Sequence, residues 1–362
     1  MPLTQSDVEN ALKTVLDPNL ELDLVSAKSV KKIEVEDSRV RVKVALGYPA
    51  ASFHAELKSL IAQKLRAETG AAEVTVEIVT DIVSHSVQKN LKPMSGVKNI
   101  IAVASGKGGV GKSTTAVNLA LALSAEGARV GILDADIYGP SQPLMLGISG
   151  RPETEGGNRL IPMVAYGVQS MSIGYLIEED APMIWRGPMV TGALQQLLKD
   201  TKWDNLDYLI IDLPPGTGDI QLTLAQQIPV SGAVIVTTPQ DIALLDAQRG
   251  LKMFEKVGVP VLGIIENMSI HICSNCGHAE PIFGEGGGDK MARKYGVELL
   301  GSLPLDIGIR KNADGGHPTV VAEPDSKPAQ IYKEVARKMA ARLALKAKDY
   351  SARFPTITIV ND

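Results

Sequence analysis

The feature that most constrains the fold is a glycine-rich stretch, G-x-x-x-x-G-K-S, at residues 106–113. It lies between an apolar run at residues 100–104 and a segment with helical periodicity that begins at Thr114. Strand, loop and helix in this order let backbone N–H groups and the positive end of the helix dipole surround a phosphate chain. The sequence therefore predicts a P-loop. A tight turn of another nucleotide-binding fold would explain the glycines, but it would not need Lys112 and Ser113.

The predicted ligand of this loop is ATP with Mg²⁺. Lys112 is expected to reach the β and γ phosphates, and the Ser113 hydroxyl is expected to hold the metal ion. The loop residues predicted to bind the nucleotide are Gly106, Lys107, Gly108, Gly109, Val110, Gly111, Lys112, Ser113 and Thr114.

Lys107 follows the first glycine directly and gives the loop the form K-G-G-x-G-K-S. This form resembles the deviant Walker A motif of the class that contains MinD, ParA and the nitrogenase iron protein. The resemblance implies that Lys107 reaches the nucleotide of a facing subunit. Lys107 is therefore a predicted catalytic residue beside Lys112, and a solvated loop lysine is the alternative.

Composition excludes some classes of partner. The chain has 362 residues and a formal net charge of -4, so it lacks the basic excess of a nucleic-acid-binding protein. No apolar run reaches the roughly 18 residues of a membrane span. The N-terminus has no basic region followed by an apolar one. The sequence predicts a cytoplasmic protein with no nucleic-acid partner and no stable membrane association.

The length suggests two domains. Residues 1–88 are predicted to form a small α+β domain, with helices at 5–16 and 51–68 and strands at 29–36, 39–46 and 73–79. The polar stretch 89–96, which contains a proline, is the predicted linker. Residues 97–362 are predicted to form a P-loop ATPase domain.

The N-terminal unit resembles MIP18-type iron-sulfur assembly proteins in its element order and in the turn Gly47-Tyr48-Pro49-Ala50. Many members of that family have a cysteine where this chain has Pro49-Ala50-Ala51. The absence of this thiol argues against a metal ligand here. A docking module and a structural cap are the two remaining interpretations.

From residue 97 onward, apolar runs alternate with helical segments, which predicts a mainly parallel sheet with helices on both faces. The predicted strands are 100–104, 130–133, 208–211, 233–237, 261–265 and 299–303. Residues 331–346 form an amphipathic pattern, which predicts a helix packed on the sheet with a basic outer face. MinD-type proteins use such a tail on membranes, and this is the alternative.

Carboxylates follow two of the predicted strands, at the edge where an α/β sheet binds its ligand. By resemblance to the MinD class, Asp136 is expected to orient the attacking water and Asp134 to support it near Mg²⁺. Asp212 ends the apolar run 209–211 in the Walker B form, so it is expected to hold a Mg²⁺-bound water. A helix cap and a solvated loop charge are the alternatives for the first two acids.

The stretch D-L-P-P-G-T-G-D at residues 212–219 extends the resemblance. Together with residues 134–141, 185–188 and 266–269, it looks like the Mrp family of ApbC-like iron-sulfur carriers, over residues 97 to about 325. Asn267 has both a donor and an acceptor for the adenine edge, and the resemblance supports that assignment. Pro304 is a weaker candidate for the adenine wall. Ordinary turn formation is the alternative for both residues, and for Pro304 it is the favoured one.

Cys273 and Cys276 are the chain's two cysteines, in the order C-x-x-C. They are half of the thiolates that a 4Fe-4S cluster requires, and a two-fold axis would supply the other half. An intrachain zinc site with His271 and His278 is the alternative, followed by redox or inert thiols.

The sequence thus predicts a homodimeric P-loop ATPase that binds a 4Fe-4S cluster between its two chains. Its expected partners are acceptor apoproteins and assembly scaffold proteins. A positioning switch of the MinD or ParA kind, which acts on membrane or DNA, is the alternative, and such a switch has no need of Cys273 and Cys276.

Overall fold

The computed structural model describes residues 3–157, 159–177, 187–273 and 275–347. Its N-terminal part is a three-stranded sheet with two helices against it. The elements are α1 (Gln5–Leu12), β1 (Leu16–Asp17), β2 (Leu22–Asp23), β3 (Val30–Glu36), β4 (Arg39–Leu46), α2 (His54–Thr69, after a 3₁₀ turn at Ala51–Phe53) and β5 (Glu73–Thr80). Strand β4 pairs antiparallel with β3 and parallel with β5.

Helix α1 ends at Leu12, four residues before the predicted end. Asp17 precedes Pro18, which disfavours helical backbone at Asp17. The buried Asp17 carboxylate instead accepts hydrogen bonds from the Tyr48 hydroxyl at 2.7 Å and from the Asn19 N–H at 2.9 Å. The remaining helices and strands predicted for this part are confirmed.

The larger part of the chain is built on an eight-stranded sheet. Its elements begin with β6 (Val97–Ala104), α3 (Lys112–Ala125), β7 (Val130–Asp134), α4 (Gln142–Met145), β8 (Thr154–Glu155), β9 (Arg159–Leu160), β10 (Met163–Ala165), β11 (Val168–Ser172), α5 (Gly187–Asp200), β12 (Leu206–Asp212), α6 (Asp219–Gln227) and β13 (Gly232–Thr237). They continue with α7 (Asp241–Lys256), β14 (Val261–Glu266), β15 (His271–Ile272), β16 (Ala279–Glu280), α8 (Gly287–Tyr295), β17 (Leu299–Ser302), α9 (Ile307–Asp314), α10 (Thr319–Ala322) and α11 (Lys327–Ala344).

The strand order is β10-β11-β7-β12-β6-β13-β14-β17, and every pair is parallel except the edge pair β10 and β11. Alternate residues of β6 belong to two different buried clusters: Ile101 and Val103 to one, Ile100 and Ala102 to the other. Because alternate side chains of a strand point to opposite faces, each face of the sheet has its own core. The predicted α/β fold with helices on both faces is confirmed.

Strand β11 was not predicted from the sequence. Two of its side chains are serines, yet Ser170 and Ser172 are fully buried. The Ser170 and Tyr175 hydroxyls lie 2.8 Å apart, and Ser172 donates to Asp134 at 3.2 Å. Because these hydroxyls have partners inside the protein, a polar composition is compatible with an interior strand.

The two parts of the chain share one hydrophobic cluster, which includes side chains from α1, α2, α3 and α11. At its edge, the buried Glu126 carboxylate accepts hydrogen bonds from the Ser52 hydroxyl and from Arg337, both at 2.6 Å. Glu126 caps the C-terminal end of α3, the helix that follows the glycine loop. The N-terminal part is therefore packed directly on that helix.

The C-terminal helix α11 packs on α3 and β17, as predicted. It begins at Lys327 rather than at residue 331, because the Ser326 hydroxyl caps it by accepting from the Ala329 N–H at 3.3 Å. Within the described part of the chain, no helix combines the length and the apolar character that crossing a bilayer requires.

The predicted linker, residues 89–96, contains neither helix nor strand. Just before it, the Gln88 side chain donates to the carbonyl oxygens of Ala225 and Ile228, at 2.7 and 3.1 Å, and accepts from the Val230 N–H at 3.0 Å. The start of the linker is thus fixed to the C-terminal end of α6.

Candidate functional site: a phosphate loop and a thiolate hairpin

The glycine loop connects β6 to α3 at the carboxyl edge of the sheet, as predicted. Two of its glycines are required by close packing. A Cβ at Gly106 would lie 2.1 Å from the backbone of Asp246 in α7, and a Cβ at Gly111 would lie 2.2 Å from the Asn267 side chain. Gly111 also has a φ of +80°, which L side chains rarely adopt. The loop is therefore held between α7 and the end of β14.

The structure brings Lys112, Ser113 and Asp212 together. The Lys112 ammonium lies 2.5 Å from a carboxylate oxygen of Asp212 and 3.1 Å from the Ser113 hydroxyl. Lys112 is only 6% exposed and Asp212 is fully buried. A buried carboxylate of this kind depends on its cationic partner.

Gln142, at the start of α4, was not predicted as a site residue. Its fully buried side-chain amide donates to the second carboxylate oxygen of Asp212 at 2.9 Å and to the Ser113 carbonyl at 3.2 Å. Its Oε1 atom is buried with no hydrogen-bond partner among the described residues. No motif pointed to this residue, because its contacts depend on how the loop after β7 folds back over α3.

Asp134 organises that loop. Its carboxylate accepts from the N–H groups of Ser141, Gln142 and Asp136 and from the Ser172 hydroxyl, at 2.9 to 3.2 Å. Burial, and then the charge of Asp212, raises the pKa of the Asp134 carboxyl to about 7. Asp134 is thus fully engaged with the backbone that follows it.

Asp136 is less buried than Asp134 and lies beside the same cluster. Burial raises the pKa of Asp136, and the nearby charge of Lys112 opposes that shift. Asp136 therefore combines partial solvent contact with proximity to the phosphate-binding lysine. This is the setting in which a carboxylate can accept a hydrogen bond from a water molecule.

Lys107 is partly exposed, and its side chain forms no ion pair among the residues that the structure describes. The Ser105 hydroxyl donates to the Lys107 carbonyl at 2.9 Å, so the backbone there is fixed while the ammonium group is available. The role predicted for Lys107 across a dimer stays a prediction.

Asn267 and Pro304 lie on neighbouring segments. The Asn267 side-chain amide donates to the Val110 carbonyl of the glycine loop at 2.9 Å. The Ser269 N–H donates to the Leu303 carbonyl at 2.9 Å, beside Pro304. Asn267 therefore contacts the loop directly, whereas Pro304 follows a residue that is bonded to the neighbouring segment. The roles of both residues at adenine stay predictions.

The loop at residues 213–218 follows β12 and contacts the strand before the glycine loop. The Gly216 N–H donates to the Ser105 carbonyl at 2.9 Å. The Gln221 side chain of α6 donates to the Pro215 carbonyl at 2.5 Å. The loop that leads into α6 therefore contacts the backbone beside the glycine loop, and a movement of the glycine loop is transmitted to it through this contact.

The second centre is a short hairpin formed by β15 and β16, with Cys273 and Cys276 in its turn. The Cys273 N–H donates to the His278 carbonyl and the Gly277 N–H donates to the Cys273 carbonyl, both at 2.9 Å. The backbone N–H groups of Cys276 and Asn275 lower the pKa of the Cys273 thiol. Since thiolates are the form that binds metal, this turn favours ligation.

The hairpin does not assemble a metal site by itself. Within the described ranges, no three side chains of histidine, cysteine, aspartate or glutamate converge to hold a metal ion. The His271 ring lies 3.2 Å from the Leu305 carbonyl, and His278 is exposed. Ile272, which precedes Cys273 in the chain, is 46% exposed. One chain therefore offers two thiols that solvent can reach, with an exposed apolar side chain next to them in the chain.

Part of the sequence resemblance lies outside the described residues, namely Trp185 and Arg186. The remainder maps to the two centres. Residues 134–141 and 212–219 surround the phosphate loop, and residues 266–269 lie between that loop and the hairpin.

Family comparisons match both parts of the chain. Residues 96–340 match a ParA-type family described as "NUBPL iron-transfer P-loop NTPase". Residues 5–78 match a family described as "Iron-sulfur cluster assembly protein".

The chain is similar to the "Iron-sulfur cluster carrier protein" of Escherichia coli strain K12, with 53% identity over 337 residues that cover 93% of this chain and 91% of the relative. Among solved structures, it is similar to a nucleotide-binding protein from Archaeoglobus fulgidus in complex with ADP, with 39% identity, a TM-score of 0.56, and coverage of 64% of this chain and 90% of the other. The cell division ATPase MinD of Pyrococcus furiosus has a TM-score of 0.50 at 24% identity, covering 67% of this chain and 98% of the other, which indicates a shared fold alone.

Proposed function

This chain belongs to the NUBPL iron-transfer P-loop NTPase family, and from that membership we propose that it is an ATP-hydrolysing iron-sulfur cluster carrier that works as a homodimer. Its cargo is a 4Fe-4S cluster held between two chains. Its partners are the assembly scaffold proteins that supply the cluster and the apoproteins that accept it. The cytoplasmic location expected from the sequence stays a prediction.

The observation that supports this proposal most is the hairpin. Cys273 and Cys276 are the only cysteines in the chain, and both lie in the turn of the hairpin, where Cys273 is partly exposed and Cys276 is exposed. A 4Fe-4S cluster with four thiolate ligands therefore needs two chains. A two-fold axis through the hairpins would bring both pairs of thiols together and would cover the exposed side chain of Ile272. A cluster at a surface also remains accessible to an acceptor protein.

The oxygen atoms at the nucleotide site are suited to binding Mg²⁺, and this supports the proposal that the protein hydrolyses ATP. The Ser113 hydroxyl and the Asp212 carboxylate are the oxygen ligands that Mg²⁺ prefers, the latter through water. The buried Oε1 of Gln142, which has no partner among the described residues, fits the same region because it can accept a hydrogen bond from a metal-bound water. Bound Mg²⁺ would neutralise charge on the phosphates.

The side chains then have distinct roles in hydrolysis. Lys112 exchanges its contact with Asp212 for the phosphates, and the glycine loop donates its N–H groups to them. Asp136 accepts a hydrogen bond from the attacking water and orients it. Lys107 of each chain stabilises the transition-state charge on the nucleotide of the other chain, so hydrolysis requires the dimer.

The test combines loading with transfer. Protein reconstituted anaerobically with iron and sulfide is mixed with an aconitase-type apo-enzyme whose activity depends on a 4Fe-4S cluster. We expect cluster absorbance in the dimer, recovery of the acceptor's activity, and ATP turnover that requires Mg²⁺. Binding of zinc in place of the cluster, with no transfer, would contradict the proposal.

The MinD-like alternative has its own test. The positioning-switch hypothesis predicts that the protein cosediments with anionic liposomes or binds DNA in the presence of Mg²⁺ and ATP. We expect neither, because α11 buries its apolar side chains against α3 and the sheet.

A further inference from the structure

Two consecutive residues at the end of β14 contact the phosphate loop and the start of α8. Asn267 donates to the Val110 carbonyl of the phosphate loop at 2.9 Å. Glu266, which is 4% exposed, accepts from the Gly288 N–H at 2.5 Å. Gly288 lies at the start of α8, a few residues after the hairpin that contains Cys273 and Cys276. One short segment is thus bonded to both regions.

The Glu266 contact fixes how the chain leaves the hairpin. Strand β16 is followed by a glycine-rich stretch, residues 284–288, which leads into α8. A Cβ on Gly288 would lie 3.0 Å from the Glu266 carboxylate, so a larger residue there would push against this contact. The carboxylate also lies at the N-terminal end of α8, where the helix dipole favours negative charge. Glu266 therefore sets the position of the hairpin's C-terminal connection.

A second path joins the same regions through α7. The backbone of Asp246 packs against Gly106 of the phosphate loop. At the beginning of the same helix, the Leu244 side chain and the Pro239 backbone pack against Gly287, where a Cβ would lie 2.6 and 2.7 Å from them. Because the contacts of Asp246 and Pro239 are made by backbone atoms, a displacement of the phosphate loop has little room to be absorbed before it reaches residues 287 and 288.

We propose that Glu266 is a positioning residue for the thiolate hairpin, and that with Asn267 it couples occupancy of the phosphate loop to the reactivity of Cys273 and Cys276. Asn267 senses the loop through Val110, and Glu266 passes the change to the hairpin through Gly288. The biological role of this coupling, control of cluster binding by the nucleotide, rests on the proposed function. The coupling itself is a property of the metal-free chain.

The test measures thiol alkylation in the full-length, metal-free protein. The chain has only two cysteines, so iodoacetamide labelling reports on the hairpin alone. We expect saturating Mg²⁺ and a non-hydrolysable ATP analogue to change the labelling rate about fivefold, the lower end of typical coupling between sites. In Glu266→Ala the ratio of rates with and without nucleotide should fall to about one, while calorimetry shows that the analogue still binds.

Three further variants sharpen this test. Glu266→Gln keeps an oxygen that can accept from Gly288 and should retain most of the ratio. Asp289→Ala, the matched control, removes an exposed carboxylate that pairs with Arg293 and should leave the ratio unchanged. If Glu266→Ala does not fold, Gly288→Ala displaces the same contact from the other side and should abolish the ratio.

A wild-type ratio of one at confirmed saturation, or a full ratio in Glu266→Ala or in folded Gly288→Ala, would overturn the coupling. These outcomes are independent of whether the protein binds a cluster. Failure to load iron and sulfide would instead overturn the proposed carrier function, whatever the alkylation rates show.

Discussion

The phosphate loop and the thiolate hairpin differ in how much of each site one chain supplies. At the phosphate loop, Lys112, Asp212 and Gln142 are buried and bonded to one another. At the hairpin, Cys276 is exposed, and no third ligand approaches the two thiols within the described part of the chain. The first site is almost complete before any partner binds. The second is half of a site, so the metal centre should depend on dimerisation far more than nucleotide binding does.

The largest expected effect is at the hairpin. Cys273→Ala or Cys276→Ala should eliminate the cluster, because a dimer would then offer only two thiolates. Nucleotide affinity should change by less than about twofold, because both variants retain Glu266 and Asn267, the residues proposed to couple the two centres. Iron and sulfide analysis beside calorimetry with ADP checks both statements. A parallel loss of ADP binding would show instead that the two sites form one unit.

At the phosphate loop, Lys112→Ala should abolish hydrolysis. It should also lower the free energy of unfolding by roughly 3 to 5 kcal/mol, because the buried Asp212 carboxylate loses its cationic partner. The double variant Lys112→Ala/Asp212→Asn removes the stranded charge and should regain much of that stability without regaining hydrolysis. Urea unfolding and phosphate release measure the two properties separately. Equal stability of the single variant and wild type would show that the ion pair is not significant.

Lys107→Ala should spare ATP binding and reduce turnover by a factor on the order of 10³, the contribution of a cation supplied in trans. Lys252→Ala, a substitution of an exposed lysine on α7, is the matched control and should hydrolyse normally. Mixing the Lys107→Ala and Lys112→Ala proteins should restore part of the activity in the mixed dimer. Normal turnover by Lys107→Ala alone would show that the loop works within one chain.

The smallest effects should come from the two histidines beside the thiols. His271→Ala removes a ring that lies near the Leu305 carbonyl, and His278→Ala removes an exposed side chain. Since neither joins the thiols in a metal site, cluster content should stay within about twofold of wild type. Loss of bound metal in both variants would favour the intrachain zinc site and would remove the contrast between a complete site and a half site.

The sequence predicted most of the sheet because its strands are continuous apolar runs, and the six expected strands from β6 onward differ from the observed ones by at most three residues at either end. It failed where polar side chains are buried with partners. Strand β11 was not predicted because serines such as Ser170 and Ser172 are typical of loops. Helix α1 was predicted too long because the contact between Asp17 and Tyr48 joins segments that are far apart in the chain.

The same distinction holds at the site. Lys112, Ser113 and Asp212 belong to motifs with fixed spacing, so their proximity could be predicted. No motif predicts a separate role for Gln142 or for Glu266. Their contacts are seen only in the three-dimensional structure, where the loop after β7 and the start of α8 are in place. The motif also does not indicate that Lys112 is buried, and this burial changes the expected stability of its variants.

Each chain is expected to supply half of a metal site, and measuring metal stoichiometry together with molecular mass tests this expectation. Anaerobically reconstituted protein should be a dimer with about two iron and two sulfide per chain, which corresponds to one 4Fe-4S cluster per two chains. The protein should not contain a stoichiometric amount of zinc. A monomer that retains about one zinc per chain and binds no sulfide would contradict the account.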